Sequence, residues 1–373
     1  MITKTFLSSK KVSLVCGRGL ASLPELSPGL FAGADKFCLV TDRNCFKAFK
    51  RGFNKMLGAA SGRTVVFETT GGESAKNFKT LERLLAFMLE NGVSRRSLLI
   101  AAGGGSLTDL AGLAAALYMR GIKWISVPTT LLGQADAGIG GKTAVNLGGV
   151  KNLAGAFYQP ELTVCEAAFL DTLSAKELRA GAGELIKYAL IAPRAPGLAI
   201  LKNLPGALKG GKQELAAVTS ACAVFKLDLV SKDEREETGL RETLNFGHTA
   251  GHAFEAASKG SLSHGDAVLW GMRYAAMLSR GLDILDGKSA PAVQAALQAA
   301  EPPALKAAAL DFDRFNRLIR RDKKTGAHTN RFILMIRPGV LKAVNDIPDG
   351  VLRRCLKELG GRQAQSLPVL RRS

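Results

Sequence analysis

Residues 97–102, Ser-Leu-Leu-Ile-Ala-Ala, form an uncharged run that passes without a spacer into Gly103, Gly104 and Gly105. A helix-length apolar stretch, 110–119, follows four residues later. A short apolar run closed by glycines and continued by a helical stretch marks a strand buried on both faces that turns into a covering helix. The same alternation fills the first 170 residues. Residues 36–41 read as a strand ending at Asp42-Arg43-Asn44, and 64–68 as another before the turn Gly71-Gly72-Glu73. Residues 74–90 carry Leu81, Leu84, Leu85, Phe87 and Met88 at helical spacing, and 125–128 give a further strand. Strands and helices interleaved at this pitch predict an α/β domain with a parallel sheet covered on both faces.

Two glycine-rich stretches sit where such a sheet binds ligands. Gly103-Gly104-Gly105-Ser106-Leu107-Thr108-Asp109 opens the helical stretch, so the backbone can approach a pyrophosphate and the helix start offers unpaired N–H groups. It lacks the third glycine of the usual dinucleotide fingerprint, having Thr108 there. Thr129-Thr130 and the loop Gly138-Ile139-Gly140-Gly141-Lys142-Thr143 combine hydroxyls, a lysine and glycines into an anion cradle, with Lys151-Asn152 close behind. The spacing is not that of a P-loop.

Composition changes near Asp171. Ser174-Ala175-Lys176-Glu177 has the form of a capping box, and helical candidates follow at 214–232, 249–257, 266–282 and 290–300. Only 331–336 reads as a strand there. The division expected is an α/β domain over 1–171, a mainly α-helical domain over 172–359 and a flexible basic tail over 360–373, with the site in the cleft between the domains.

Four histidines occur in the chain, and three of them, His248, His252 and His264, fall within seventeen positions. His248 and His252 are one helical turn apart and share a face, and the Gly260-Ser261-Leu262-Ser263 break can fold His264 back toward them. Imidazole is the commonest protein ligand for zinc, and a catalytic zinc takes three protein ligands. The spacing alone pairs His248 with His252 and leaves a carboxylate unidentified.

Composition then narrows the function classes. Lys and Arg outnumber Asp and Glu by 51 to 32, a net charge of +19, but the basic residues are dispersed and aromatics are 6%. That pattern favours anionic small substrates over nucleic acid. No run free of charged residues exceeds twelve, too short for a bilayer, and the N-terminus lacks an apolar signal core. Six cysteines without Cys-x-x-Cys spacing read as thiols of a reducing compartment, so a cytoplasmic location is expected.

The stretches GGGSLTDLAGLAAALYMRG, VPTTLLGQADAGIGGKTAVN, KNLAGAFYQP, AGAGELIKYALI, GLRETLNFGHTAGHAFE, SHGDAV and DKK resemble, in family order, the 3-dehydroquinate synthases of the sugar phosphate cyclase superfamily. The resemblance covers residues 36–340 and implies a nucleotide-binding α/β domain followed by a helical one. It supplies the missing carboxylate, since it implies Glu184, His248 and His264 as ligands of one divalent metal, zinc or cobalt. His252 becomes a substrate-site residue.

The implied reaction converts 3-deoxy-D-arabino-heptulosonate 7-phosphate to 3-dehydroquinate and phosphate. Bound NAD takes a hydride, the adjacent proton becomes removable, phosphate leaves, the ketone is reduced again, and an aldol closure follows. By the same resemblance Arg120, Lys142, Asn152, Asn245 and His252 surround the phosphate, and Lys226 and Arg241 face the carboxylate. Lys187, Asp136 and one of Lys323 or Lys324 complete the lining. Catalytic roles fall to Lys142, Glu184, Lys187, Asn245 and His252. NAD contacts map onto Asp42, Glu73, Lys76, Gly104, Gly105, Ser106, Asp109, Thr129, Thr130, Asp136, Lys142, Lys151 and Thr172. An acidic residue after an early strand, Asp42, suits ribose hydroxyls, although the same residue can cap a turn.

A homodimer is implied, with Arg120 reaching a neighbouring subunit. The chain departs from the family pattern at Ser106-Leu107-Thr108, at Leu147-Gly148-Gly149-Val150 and at Asp266. Other readings are a different sugar phosphate cyclase, a metal-dependent polyol dehydrogenase and a nucleic-acid-binding protein. The paired cations Lys226 and Arg241 favour a carboxylate-bearing substrate over the first.

Overall fold

A computed structural model describes residues 1–7, 10–320 and 330–362. The chain forms two compact units, one of residues 1–172 with 226–235, the other of 173–225 with the described residues from 236 onward.

The first unit is a seven-stranded sheet of β1 (Ile2–Leu7), β2 (Lys11–Gly17), β3 (Phe37–Asp42), β4 (Thr64–Thr69), β5 (Leu98–Gly103), β6 (Trp124–Pro128) and β9 (Leu162–Glu166). Its order is β1-β2-β9-β6-β5-β3-β4, parallel throughout except for β1 on β2. Alternating side chains build a core on each face. Leu99 and Ala101 meet Leu81, Leu84, Leu107 and Leu110 on one side. Leu98, Ile100 and Ala102 meet Phe31, Phe53 and Leu57 on the other. The covering helices are α1 (Leu23–Leu26), α2 (Pro28–Ala32), α3 (Arg43–Leu57), α4 (Phe78–Glu90) and α5 (Gly105–Leu117).

The loop expected over 138–143 gives way at Lys142 to strand. Lys142–Leu147 and Val150–Phe157 pair as an antiparallel hairpin, β7 and β8. Gly148 and Gly149 at its turn both have positive φ, 58° and 77°, the pair of left-handed residues that tight hairpin turns favour. The strands β1, β2 and β9 were also absent from the sequence expectation.

The second unit contains α6 (Ala175–Ile191), α7 (Arg194–Leu208), most of α8 (Lys212–Lys232), α9 (His248–Ala257), α10 (His264–Gly281), α11 (Ala290–Leu297), α12 (Ala307–Leu310), α13 (Phe312–Arg320) and α14 (Asp349–Arg362). Ser174 and Glu177 form the expected capping box of α6. Beside the expected strand β10 (Arg331–Arg337) runs a second, β11 (Val340–Asn345). Helix α14 continues through 362, past the start of the expected tail, and 363–373 lie outside the described residues.

Candidate active site

Three helices of the second unit cross where they lack side chains. A Cβ built on Gly265, the second residue of α10, would lie 1.7 Å from the Ala180 carbonyl oxygen, and one on Gly183 of α6 would lie 2.0 Å from the Gly265 oxygen. A Cβ on Gly271 would lie 1.9 Å from the Gly247 oxygen, just before α9, and Gly247 itself has φ of 80°. Backbones this close bring the neighbours of those glycines together: Glu184 beside Gly183, His264 beside Gly265 and His248 beside Gly247.

Ligand atoms of Glu184, His248 and His264 all lie within 4.8 Å of one another. Glu184 Oε1 stands 3.6 Å from His248 Nε2 and 3.5 Å from His264 Nε2, contacts longer than a hydrogen bond. The Glu184 side chain is 1% exposed, and no donor is angled for a hydrogen bond to either of its oxygens, although the Lys187 ammonium pairs with Oε2. Each imidazole is tied at its other nitrogen: His248 Nδ1 lies 3.4 Å from Phe246 O, and His264 Nδ1 lies 3.0 Å from Glu255 Oε2. Burial lowers the His264 pKa, but the carboxylates of Glu184 and Glu255 outweigh it and raise the ring to about 9.

Two imidazoles and one carboxylate are a catalytic zinc donor set, and a buried carboxylate whose Oε1 faces two ring nitrogens without hydrogen-bonding fits a cation among them. His252, exposed on the same face of α9, has its ring centroid 5.4 Å from that of His248 and 6.0 Å from that of His264. In the same unit Arg241 is 1% exposed with Glu236 at 3.6 Å, and Asn245 closes the 3-10 helix Leu240–Asn245. Lys323 and Lys324 lie outside the described residues.

In the first unit a second polar group gathers at the C-terminal ends of the parallel strands, where such sheets hold ligands. Asp42 ends β3 and caps α3, its Oδ1 accepting from Cys45 N at 2.9 Å. Gly104 is the N-cap of α5 and Gly105 its first residue; a Cβ on Gly105 would lie 2.6 Å from the Ala137 Cβ. A helix start of this kind is suited to a pyrophosphate, whose oxygens take the first helical N–H groups.

Around that turn, Ser106 Oγ donates to Glu73 Oε2 at 2.5 Å and Asn146 Nδ2 donates to Glu73 Oε1 at 2.8 Å. Asn152 N donates to Asn146 Oδ1 at 2.9 Å. Lys76, 3% exposed, pairs with Asp109 and with Asn152 Oδ1. Thr129 N donates to Gly103 O at 2.9 Å, and Thr130 Oγ1 accepts from Gly133 N at 3.1 Å. Gly133 starts the π turn Gly133–Ala137, whose Asp136 pairs with Lys226. Lys142 opens β7, Lys151 lies in β8 and Thr172 ends a 3-10 turn; all three are exposed, as is Arg120, whose φ is 66°.

Burial raises the Asp109 carboxyl to about 6 despite Lys76. Burial also works upward on Glu73, but hydrogen bonds from Ser106 and Asn146 and the charges of Lys76 and Lys151 hold it below its ordinary range.

The departures from the family pattern acquire local roles. Ser106 joins Glu73, Thr108 Oγ1 donates to Gly105 O at 3.0 Å, and Asp266 N donates to Ser263 Oγ at the start of α10. Asn146 and Glu255 belong to these two groups and were not singled out by the sequence reading. Both lie inside the resembling stretches, and Glu255 is seven residues after His248, on its helical face.

The fold is that of the sugar phosphate cyclases. A 2-epi-5-epi-valiolone synthase from Streptomyces hygroscopicus subsp. jinggangensis, solved with NAD+ and Zn2+ bound, superposes with a TM-score of 0.80 at 26% identity, over 95% of this chain and 98% of that one. Within that class, the model for 3-dehydroquinate synthase N-terminal matches residues 66–180 and that for 3-dehydroquinate synthase C-terminal matches 181–325. The 3-dehydroquinate synthase of Bradyrhizobium diazoefficiens is 38% identical over 94% of both chains. That of Alkaliphilus metalliredigens is 41% identical over 72% of this chain and 74% of its own. The chain belongs to the 3-dehydroquinate synthase family.

Proposed function

We propose that the protein converts 3-deoxy-D-arabino-heptulosonate 7-phosphate to 3-dehydroquinate and inorganic phosphate as a carbon-oxygen lyase. The observation that carries this is the gathering of Glu184, His248 and His264 in a chain of this family. When bound, NAD supplies a reversible hydride acceptor and a divalent zinc or cobalt ion lowers the cost of negative charge on a substrate hydroxyl.

The chain's own residues would do the rest. Glu184, His248 and His264 hold the ion, with Lys187 keeping a cation beside the buried carboxylate. The Gly104-Gly105 turn at the start of α5 takes the pyrophosphate, and Asp42, Glu73, Lys76, Asp109, Thr129, Thr130, Lys151 and Thr172 surround the nucleotide. Arg120, Lys142, Asn152, Asn245 and His252 bind and orient the substrate phosphate, and Lys226 and Arg241 its carboxylate, as cations suited to oxyanions. One of Lys323 or Lys324 completes the lining.

The test is an incubation with substrate, NAD and zinc or cobalt in which phosphate and NADH are both followed. Phosphate release without net NADH is expected. NADH accumulating without phosphate would make it a dehydrogenase, and no phosphate from the metal-loaded protein would remove the assignment. Release from another heptulose or hexose phosphate alone would make it a different cyclase.

The same reading includes a homodimer. Exposed Phe78, Leu89, Leu117 and Met119 line one apolar groove on the first unit, and Met119 immediately precedes Arg120. An apolar face of this kind commonly marks an interface. A sedimentation mass of one chain at micromolar concentration would contradict it. Among the described residues no helix is long and apolar enough to cross a membrane. All six cysteines are free thiols, which accords with a reducing cytoplasm; fractionation of the protein with an oxidising compartment would count against that location.

A further inference from the structure

His248 and His264 are held differently. His248 follows the left-handed Gly247, its side chain is 13% exposed, and its Nδ1 faces a main-chain carbonyl, that of Phe246. His264 is the first residue of α10, is 34% exposed, and has at its Nδ1 the Glu255 carboxylate at 3.0 Å. Glu255 comes from α9, on the face that also carries His248 and His252. A half-exposed ring at a helix start can rotate unless something fixes its far nitrogen.

Charge points the same way. Glu184 and Lys187 together sum to no net charge, and α9 and α10 both begin at the site, so their positive ends face it. Without another carboxylate this would be a poor place for a divalent cation. Glu255 supplies the second negative charge next to the ligand triad.

We infer that Glu255 is the positioning residue of the metal centre: it holds His264 with the proton on Nδ1 and the Nε2 lone pair toward Glu184, and so sets metal affinity. A carboxylate behind a ligating imidazole orients the ring and raises its basicity. This rests on the metal-centre reading given under the proposed function. The alternative is that Glu255 merely ties α9 to α10, but a part-exposed pair contributes little to stability, so a Glu255 variant should fold.

The experiment uses the full chain, stripped with a chelator and titrated with zinc or cobalt. Glu255→Ala is expected to weaken metal binding by about 10–100-fold. Glu255→Gln, which keeps an acceptor oxygen, is expected to recover part of that loss. Cobalt absorption of Glu255→Ala should shift as coordination loosens. Binding by Glu255→Ala within about twofold of the parent, with an unchanged cobalt spectrum, overturns the inference while leaving the metal centre standing. A parent that binds neither ion removes the metal-centre reading itself, and the inference with it. Nitrogen NMR of the zinc-loaded parent, which needs no variant, should find His264 protonated at Nδ1 and metal-bound at Nε2; the reverse assignment overturns the inference.

Discussion

Both polar groups of this chain are assembled at helix starts, His248 and His264 beginning α9 and α10 and Gly105 beginning α5, yet they are held in different ways. In the second unit the spacing of the ligand atoms is fixed by main chain against main chain at Gly183, Gly265, Gly247 and Gly271. In the first unit the side chains around the glycine turn occupy one another: Lys76 with Asp109 and Asn152, Glu73 with Ser106 and Asn146. A small ion demands ligand positions within tenths of an ångström, which rigid backbones can provide. A long cofactor makes many weaker contacts, and partners that satisfy each other keep the site from burying unpaired charge.

The sharpest way to break this contrast is to put a methyl group at each glycine contact. Gly265→Ala meets a carbonyl oxygen that α6 cannot withdraw, and it should cost about 3 kcal/mol or more and abolish metal binding. Gly105→Ala meets only the Cβ of Ala137 in a turn, and it should cost about 1 kcal/mol and weaken NAD binding while sparing metal affinity. Thermal melts with metal and NAD titrations of both variants check this; equal losses in the two would erase the distinction.

A smaller effect concerns Asp109. Its folded pKa, about 6, lies above the unfolded value of 3.8, so the folded state binds the proton more tightly and stability falls as pH rises through that window. Replacing Asp109 by Asn should remove that slope, shifting the difference in melting temperature toward the variant between about pH 4 and 6, and leave it flat above. A pH-independent difference would mean that Asp109 does not retain its proton there.

The central strands were legible because burial on both faces demands uninterrupted apolar runs, as in Leu98–Gly103 and Trp124–Pro128. β7 and β8 were not. β8 is largely exposed, β7 buries only Thr143 and Val145, and Gly148-Gly149 reads equally as part of a ligand loop or as a hairpin turn. β2 hides behind lysine and serine, and β11, with Lys342 and Asn345 among its apolar residues, buries none of them fully. At the site, spacing could say only that His248 and His252 share a face. The carboxylate comes from a helix 64 residues before His248, a distance that no local periodicity spans, and it entered through family resemblance. Glu255 escaped because a glutamate near the end of a helix looks like any solvated charge until the loop after it brings His264 back.

The glycine crossing of α6 and α10 also bears on how such a protein can vary. With carbonyl oxygens rather than side chains in contact at Gly183 and Gly265, the neighbouring core can exchange one apolar residue for another without retuning the distance from Glu184 to His264. Change in the surrounding helices is thereby uncoupled from the geometry of the donor atoms, while a side chain at either glycine would push α6 and α10 apart.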